Sequence, residues 1–251
     1  MREFPEYALL GAGRFGKRIL SILASENRRC TVIPEPRQRS SETDDQYRER
    51  LKTAFSASGA RVAWLTVSPG SHVAKMIQAA MDAGLHVLVE KPWLGTADVT
   101  RKLLASAKQS GLQVGFDYEY CFLTTVEQWR TEFGGRGKQL RFGGRFYLNR
   151  INHSGLSAID NLGTHLLAIR EYVVPEAEVA ELTCAYETPD ERRIWIKQQN
   201  GPIVAELDLL KLTEPIIQRL FKIFESTIAD RNFPIDLNFA LRVAEQVNTL
   251  R

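Results

Sequence analysis

The chain is poor in the features that mark disulfide-stabilised and zinc-binding proteins. It has 251 residues but only three cysteines, Cys30, Cys121 and Cys184. They are odd in number, lie far apart and form no CxxC pair, which argues against a disulfide framework and against a structural zinc site. We therefore expect no bound metal and a reducing, cytoplasmic environment.

Long apolar runs and concentrated charge are also missing. No apolar run is long enough to cross a bilayer, and the run before the first glycines is too short for the core of a signal peptide. The 33 Lys and Arg residues nearly balance the 30 Asp and Glu residues, so the net charge of +3 provides no basic tract for nucleic acid. We expect a soluble protein without a targeting segment, with neither membrane nor nucleic acid as a partner.

A glycine-rich turn near the N-terminus lies between a predicted strand and a predicted helix. The apolar run 7–10 leads into GAGRFG, after which apolar residues recur at helical spacing over residues 17–27. In a dinucleotide fingerprint, Gly11 makes the tight turn, Gly13 lets the pyrophosphate approach, and Gly16 packs the helix against the strand. The order of elements favours a nucleotide site over an ordinary glycine-rich turn.

The second predicted strand, 30–33, should carry its tip to the ribose of a bound dinucleotide. Glu35 is the acidic candidate for the ribose hydroxyls. Arg37 and Arg39 follow at once, and their guanidinium groups could instead hold the 2′-phosphate of NADP. NAD and NADP both remain open, with the balance in favour of NADP, and a solvated loop with scattered charge is the simple alternative.

Strands and helices alternate through the first half of the chain. Helical patterns cover 44–59, 72–84 and 96–111, and apolar strand patterns cover 62–67, 86–89 and 112–116. This alternation predicts a Rossmann-type α/β domain with a doubly wound parallel sheet, in which ligands bind beyond the carboxyl ends of the strands.

The second half reads as an α+β domain with a mostly antiparallel sheet. Extended patterns cover 139–149, 178–187, 192–200 and 202–212, with a helix from residue 160 or 161 to about 173 and two helices at the end. We expect a dinucleotide-binding domain over residues 1–118 and a substrate and oligomerisation domain over 119–251, with the site in the cleft.

Three segments of the first half resemble the Gfo/Idh/MocA oxidoreductases, which include glucose–fructose oxidoreductase and inositol dehydrogenase. They are GAGRFG at 11–16, SPGSH at 68–72 and AGLHVLVEKPW at 83–93. In the second half, 159–173 is similar to the family's active-site helix and 214–247 to its C-terminal helices. The resemblance implies a short and divergent member of the family, because the segment between Ile33 and Arg61 lacks a helix and a short strand that the family usually has.

The Glu-Lys-Pro triplet places Lys91 at the tip of a strand. A compact cation there can stabilise charge that develops on a substrate oxygen. The resemblance implies that Lys91 is catalytic and lies near the nicotinamide, with a cis Lys91–Pro92 bond; a solvated lysine is the alternative. The expected cofactor-binding residues are Gly11, Gly13, Arg14, Phe15, Gly16, Glu35, Arg37, Ser68, Pro69, His72, Glu90, Lys91 and Pro92.

His165 is the candidate proton donor of the second half. By resemblance, the family has an Asp and a His at the positions of Asn161 and His165, which would share one face of an α-helix. Asn161 cannot take up a proton, and Asp160 lies about 100° around the helix, so it could replace the family Asp only if the helix began differently. A buried structural histidine is the alternative, and Tyr118 and Asp160 are expected to contact the substrate.

These residues favour an NAD(P)-dependent oxidoreductase that reduces a carbonyl or imine of a small metabolite. Reduction requires only a proton donor, which His165 or Lys91 could be. A ligand-sensing protein that retains the fold without turnover is the alternative, and a flavin or other nucleotide binder is a third possibility. The family commonly assembles through an open sheet face, so we also expect a homo-oligomer through the C-terminal sheet.

Overall fold

The computed structural model describes residues 6–34, 37–149, 155–187 and 189–250. The chain divides into two compact units. The first comprises Met1–Asp117 and Leu220–Leu241, and the second comprises Tyr118–Arg219 and Arg242–Arg251. No helix within the described ranges has both the length and the apolar composition needed to cross a membrane. The division expected from the sequence, after residue 118, stays a prediction.

The first unit contains a five-stranded parallel sheet in the order β2-β1-β3-β4-β5. Its strands are β1 (Tyr7–Leu10), β2 (Cys30–Ile33), β3 (Val62–Leu65), β4 (His86–Glu90) and β5 (Val114–Asp117). The helices between them are α1 (Arg14–Ser25), α2 (Asp44–Ala57), α3 (His72–Asp82) and α4 (Ala97–Ser110). The predicted Rossmann-type domain is confirmed.

The register of this sheet brings the ends of its central strands to one edge. Leu10 lies opposite Leu65, Leu65 lies opposite Val89, and Glu90 lies opposite Asp117. β1 and β3 are completely buried, as expected for a sheet covered on both faces. The residues that follow β1, β3 and β4 therefore emerge together at the edge where such sheets bind ligands.

A buried ion pair joins the C-terminal segment 220–241 to the N-terminal part of the first unit. Glu225 accepts hydrogen bonds from Nε and Nη2 of Arg28, at 2.9 and 2.8 Å, and from the hydroxyl of Tyr7, at 2.8 Å. The Phe221 ring packs edge-on against the rings of Tyr7 and Trp64, each at 6.4 Å. The two bonds from Arg28 and the bond from Tyr7 satisfy both oxygens of the buried Glu225 carboxylate.

The second unit is built on a four-stranded mixed sheet in the order β7-β6-β8-β9. Its strands are β6 (Leu140–Tyr147), β7 (Glu178–Ala185), β8 (Glu191–Gln198) and β9 (Ile203–Asp208), and its helices are α5 (Thr124–Phe133), a π-helix (Ile159–Gly163) and α6 (Thr164–Val173). Two further helices, α7 (Ile216–Thr227) and α8 (Leu237–Thr249), each have residues in both units. Only the β6–β7 pair is parallel among the described strands of this sheet, so the predicted mostly antiparallel sheet is confirmed.

The two faces of this second sheet differ in character. All ten residues of α6 are buried, and a Cβ on Gly144 of β6 would lie 2.8 Å from Leu166, so the helix packs very closely on the inner face. The outer face carries cross-strand ion pairs such as Arg141–Glu178, at 3.0 Å, together with Arg145 over the Trp195 ring. An oligomer formed through this face would have to bury charged groups, and the oligomeric state stays a prediction.

His86, at the start of β4, provides a pH test of the fold. Its Nδ1 accepts a hydrogen bond from the backbone N–H of Gln113, at 3.0 Å, and burial, together with nearby arginines, lowers the pKa of His86 to about 4. In the unfolded chain this pKa is about 6.5. The unfolded state therefore takes up a proton that the folded state does not, and stability falls as the pH drops from about 6.5 to about 4.

We predict that His86→Asn, which keeps an acceptor but cannot be protonated, reduces this loss of stability. The measurement is urea denaturation of both proteins at pH 7.5 and pH 5. The free energy of unfolding should decrease less in the variant than in the natural chain. An equal decrease in both would show that His86 does not contribute to the acid sensitivity.

Candidate active site

The three glycines of the N-terminal turn have different surroundings. Gly11 has a φ of +106°, and a Cβ there would lie 2.6 Å from the carbonyl oxygen of Thr66. A Cβ on Gly16 would lie 1.9 Å from the carbonyl oxygen of Gly11. Gly13 has a φ of −67°, and a Cβ there would have no atom within 4 Å among the described residues. Gly11 and Gly16 are therefore required by the fold, whereas Gly13 borders open space.

Helix α1 begins directly after this turn with its first N–H groups available to a ligand. Gly13 is the N-cap, and a glycine has no side chain with which to bind those N–H groups. Arg14 is exposed and Phe15 half-buried in the first turn. A helix N-terminus of this kind favours phosphate through both its N–H groups and its dipole.

A cavity of about 560 Å³ lies in the first unit beside this helix terminus. This size is in the usual range for small-molecule sites. Five of the residues that line it were expected at the cofactor: Gly11, Gly13, Arg37, Ser68 and His72. Glu35, the other candidate for the ribose, lies outside the described residues.

The remaining lining residues were not identified from the sequence. They are Ala12, Gln38, Tyr47, Thr66, Val67 and Met76. Tyr47 is a buried residue of α2, where an apolar side chain at helical spacing is typical of core packing and does not by itself indicate a cavity. Thr66 directly follows β3, and its hydroxyl donates to the carbonyl of Gly11. Its position directly after a strand was the sequence feature that could have identified it as a lining residue.

The loop that carries Arg37 is held in place by Arg50 of α2. Arg50 donates through Nη2 to the carbonyl of Arg37, at 2.9 Å, and forms an ion pair with Glu42, at 2.6 Å. The hydrogen bond from Arg50 lowers the pKa of Glu42 to about 2, so this pair stays ionised at neutral pH. Thr43 then caps α2 through a reciprocal bond with Gln46. The backbone of Arg37 is thereby fixed at the rim of the cavity.

Lys91 directly follows β4 and is only 9% exposed. The Lys91–Pro92 bond is cis, as expected. Trp93, to which the sequence analysis gave no role, is buried; its Nε1 donates to Thr100 at 2.9 Å and its ring packs edge-on against Phe116 at 5.6 Å. Trp93 therefore anchors the segment that carries Lys91 to α4 and β5.

The candidates of the second unit lie around the start of α6. His165 is 6% exposed, and its ring centroid is 4.6 Å from that of Tyr120. Asp160 is also 6% exposed and accepts a hydrogen bond from the Ser157 hydroxyl at 2.7 Å. Tyr118 is almost completely buried, at 1%.

The helix that the sequence predicted from residue 160 or 161 to about 173 is present, but it begins differently. Residues Ile159–Gly163 form a π-helix, which continues directly into α6. The expected shared face of Asn161 and His165 stays a prediction. The amide of Asn161 donates to the hydroxyl of Tyr186, at 3.2 Å.

The glycine turn leads to a direct test of the nucleotide site. We predict that Gly13→Glu abolishes dinucleotide binding without loss of stability, because the new side chain enters open space at the helix terminus and carries the charge that repels phosphate. Gly16→Ala should instead destabilise the fold by about 1–3 kcal/mol, because its Cβ overlaps a carbonyl oxygen. Fluorescence titration with NADPH and NADH, together with thermal denaturation, distinguishes the two effects. Undiminished binding by Gly13→Glu would contradict the assignment.

Comparisons of sequence and of structure show which known proteins this chain is similar to. A family model described as an oxidoreductase family with an NAD-binding Rossmann fold, GFO_IDH_MocA, matches residues 6–118. A search of curated proteins gives no match.

Several solved structures share the fold over nearly the whole chain. UDP-N-acetylglucosamine 3-dehydrogenase from Acidithiobacillus ferrooxidans is 14% identical, with a TM-score of 0.71 and coverage of 99% of this chain and 97% of its own. An inositol dehydrogenase homolog from Azotobacter vinelandii, complexed with NADH and myo-inositol, is 15% identical, with a TM-score of 0.70 and coverage of 99% of this chain and 94% of its own. A mutant of a 3-ketoreductase from Actinomadura kijaniata, in complex with TDP-benzene and NADP, is 14% identical, with a TM-score of 0.69 and coverage of 99% of this chain and 97% of its own.

The TM-scores show a shared fold, and the family match identifies the nucleotide-binding part. Residues 6–118, which carry the glycine turn, the cavity and Lys91, therefore match the NAD-binding Rossmann part of the Gfo/Idh/MocA oxidoreductase family.

Proposed function

We propose that this protein is a reductase that transfers hydride from NADPH or NADH to the carbonyl or imine of a small metabolite. The observation that carries the proposal is a nearly buried lysine, Lys91, at the end of β4, in the same unit as a cavity whose Gly13 rim is open. The open rim and the helix terminus fit a pyrophosphate, so the residues present suit the cofactor.

Lys91 has the chemistry that carbonyl reduction needs. When hydride reaches a carbonyl carbon, negative charge develops on the oxygen, and an ammonium group held in a largely dry position stabilises that charge better than water does. Trp93 donates a hydrogen bond to Thr100 and packs against Phe116, and these two contacts hold the segment that carries Lys91. The position of the ammonium group is thereby restricted before a substrate binds. When bound, the cofactor supplies the hydride.

His165 completes the proposal as the proton donor. A protonated imidazole can transfer its proton to the oxygen or nitrogen of the reduced substrate, and reduction requires no base in that step. The neutral Asn161, at the position where the family has a carboxylate, favours reduction over oxidation because an amide cannot accept the proton of an alcohol.

Arg37 supports a preference for NADPH. It lines the cavity, and Arg50 holds its backbone carbonyl. A guanidinium group at this edge of a Rossmann-type sheet fits the 2′-phosphate that distinguishes NADP from NAD. We keep NAD as the alternative, since Glu35 follows the same strand in the sequence.

We predict that Arg37→Ala weakens NADPH binding about tenfold or more and leaves NADH binding nearly unchanged, because only NADPH loses a charge-assisted bond. Fluorescence titrations with both dinucleotides measure the effect. Arg101→Ala, which removes an exposed arginine of α4, is the matched control for a general loss of positive charge. Equal weakening of NADPH and NADH by Arg37→Ala would refute the NADP assignment.

We also predict that Lys91→Met lowers kcat for NADPH oxidation about 10²–10³-fold, as expected when a group that stabilises transition-state charge is lost. Dinucleotide affinity should change little. The assay is a panel of sugar ketones, aldehydes and cyclic imines, with Lys102→Met on the exposed side of α4 as the control.

The Lys91 variant also separates the alternatives. Turnover that is unchanged in Lys91→Met across the pH range would remove Lys91 from the mechanism. Dinucleotide binding by the natural chain without turnover of any compound in the panel would favour the ligand-sensing alternative.

A further inference from the structure

We propose that Arg192 is a substrate-binding residue, and that the substrate carries a carboxylate close to the carbonyl or imine that is reduced. This inference rests on the proposed function and names the substrate class of the same reaction. Three features of the second unit support it. They are the sheet face on which Arg192 stands, the absence of an ion-pair partner for its guanidinium group within the described ranges, and its contact with the aromatic ring beside His165.

The register of β8 places Arg192 on the inner face of the second sheet. Arg192 lies opposite Phe146, two positions before Ile194. Ile194 lies opposite Gly144, against which α6 packs on the inner face. Side chains two apart on a strand point to the same face, so Arg192 extends the row of Ile194 and Ile196, which are both completely buried. A cation therefore occupies the next position of a row that otherwise belongs to the core.

The guanidinium group of Arg192 has no carboxylate within ion-pair distance among the residues that the structure describes. Its neighbour Arg193, on the outer face, forms ion pairs with Glu191, at 3.6 Å, and with Glu206, at 3.5 Å. In the described parts of the chain, Nε of Arg192 is buried without a hydrogen-bond acceptor, and Nη1 makes one long bond, of 3.5 Å, to the hydroxyl of Tyr120. A buried N–H without an acceptor disfavours the folded state, so Arg192 does not stabilise the fold as a structural ion pair would.

Two ring contacts connect Arg192 to the proposed proton donor. The ring centroid of Tyr120, whose hydroxyl accepts the bond from Arg192, lies 4.6 Å from that of His165. The ring of Phe146, opposite Arg192 in the sheet, also stacks with the His165 ring, at 6.4 Å and with 24° between the planes. The guanidinium group and the imidazole therefore lie in the same part of the inner face. A substrate group bound by Arg192 is thus held near the atom that receives the proton.

A carboxylate matches this position better than a phosphate does. Arg192 supplies one positive charge and a planar fork of N–H groups, which bind the two oxygens of a carboxylate side by side. A phosphate carries more charge and fits several cations or a helix N-terminus. Arg192 is half-buried, and opposite charges attract more strongly away from water. The substrate class is therefore a keto acid, an imino acid or a sugar acid.

The first test is calorimetric titration of the natural chain with a panel of 2-oxo acids and sugar acids, each beside its primary amide. The titrations are made with and without the oxidised dinucleotide, which has no hydride to transfer and leaves the ligand unchanged. At least one carboxylate should bind about tenfold or more tightly than its amide, because only the carboxylate forms charge-assisted bonds with Arg192. Inorganic phosphate and glucose 6-phosphate form the second arm.

Arg192→Met tests whether the guanidinium group causes this preference, since methionine keeps an unbranched apolar stem without the charge. The preference for carboxylate over amide should disappear in Arg192→Met and persist in part in Arg192→Lys, which keeps the charge without the fork. Arg193→Met, the matched control on the outer face, should bind both ligands as the natural chain does. The thermal midpoint of Arg192→Met should not fall, because the substitution removes a buried N–H that has no acceptor among the described residues.

Three results would overturn the assignment. They are the absence of any carboxylate in the panel that binds more tightly than its amide, tighter binding of phosphates than of carboxylates, and the same preference in Arg192→Met as in Arg193→Met. A lower thermal midpoint of Arg192→Met with an unchanged preference would assign Arg192 to the fold instead.

Turnover and dinucleotide titrations separate this inference from the proposed function. If the natural chain oxidises NADPH with neutral carbonyl compounds as efficiently as with keto acids and sugar acids, the carboxylate assignment fails and the reductase proposal survives. If carboxylates bind through Arg192 but neither NADPH nor NADH binds, the reductase proposal fails and the carboxylate site remains.

Discussion

The contact between Gly16 and the carbonyl of Gly11 determines where α1 starts, and the nucleotide site depends on that position. A side chain at either glycine would overlap backbone atoms, so the helix can approach the end of β1 only because both lack a Cβ. Thr66 reinforces the turn from the neighbouring strand through its hydroxyl. The terminus of α1 and the cavity beside it are thereby positioned by the sheet.

The parallel register of the sheet also places Lys91 at the edge where the glycine turn lies. Because β1, β3 and β4 end at one level, the glycine turn, Thr66 and Lys91 follow at the same edge of one sheet. The buried Trp93 anchors the chain directly after Lys91. A lysine on a flexible segment would be less well placed to stabilise charge that develops on a substrate. Fold stability and the placement of the cation are therefore achieved by the same side chains in this unit.

The second unit shows that tertiary packing shapes the backbone at the start of α6. The turn before α6 is a π-helix, and a Cβ on its Gly163 would lie 3.2 Å from Leu182 of β7. The amide of Asn161 donates to the hydroxyl of Tyr186, directly after β7. The same turn is therefore attached to the sheet at two points.

The sequence by itself determined the alternation of strands and helices in the first unit, the glycine turn, the position of Lys91 after β4 and the mostly antiparallel second sheet, because periodicity and turn residues are local signals. It did not reveal Tyr47 and Thr66 at the cavity, the anchoring role of Trp93, or the ion pair between Arg28 and Glu225, which joins residues almost two hundred positions apart. It also did not show that the predicted helix before residue 173 begins with a π-helix, Ile159–Gly163. Only the tertiary structure decided these points, because each depends on how closely distant segments pack, and the backbone adjusts to that packing rather than to its own sequence alone.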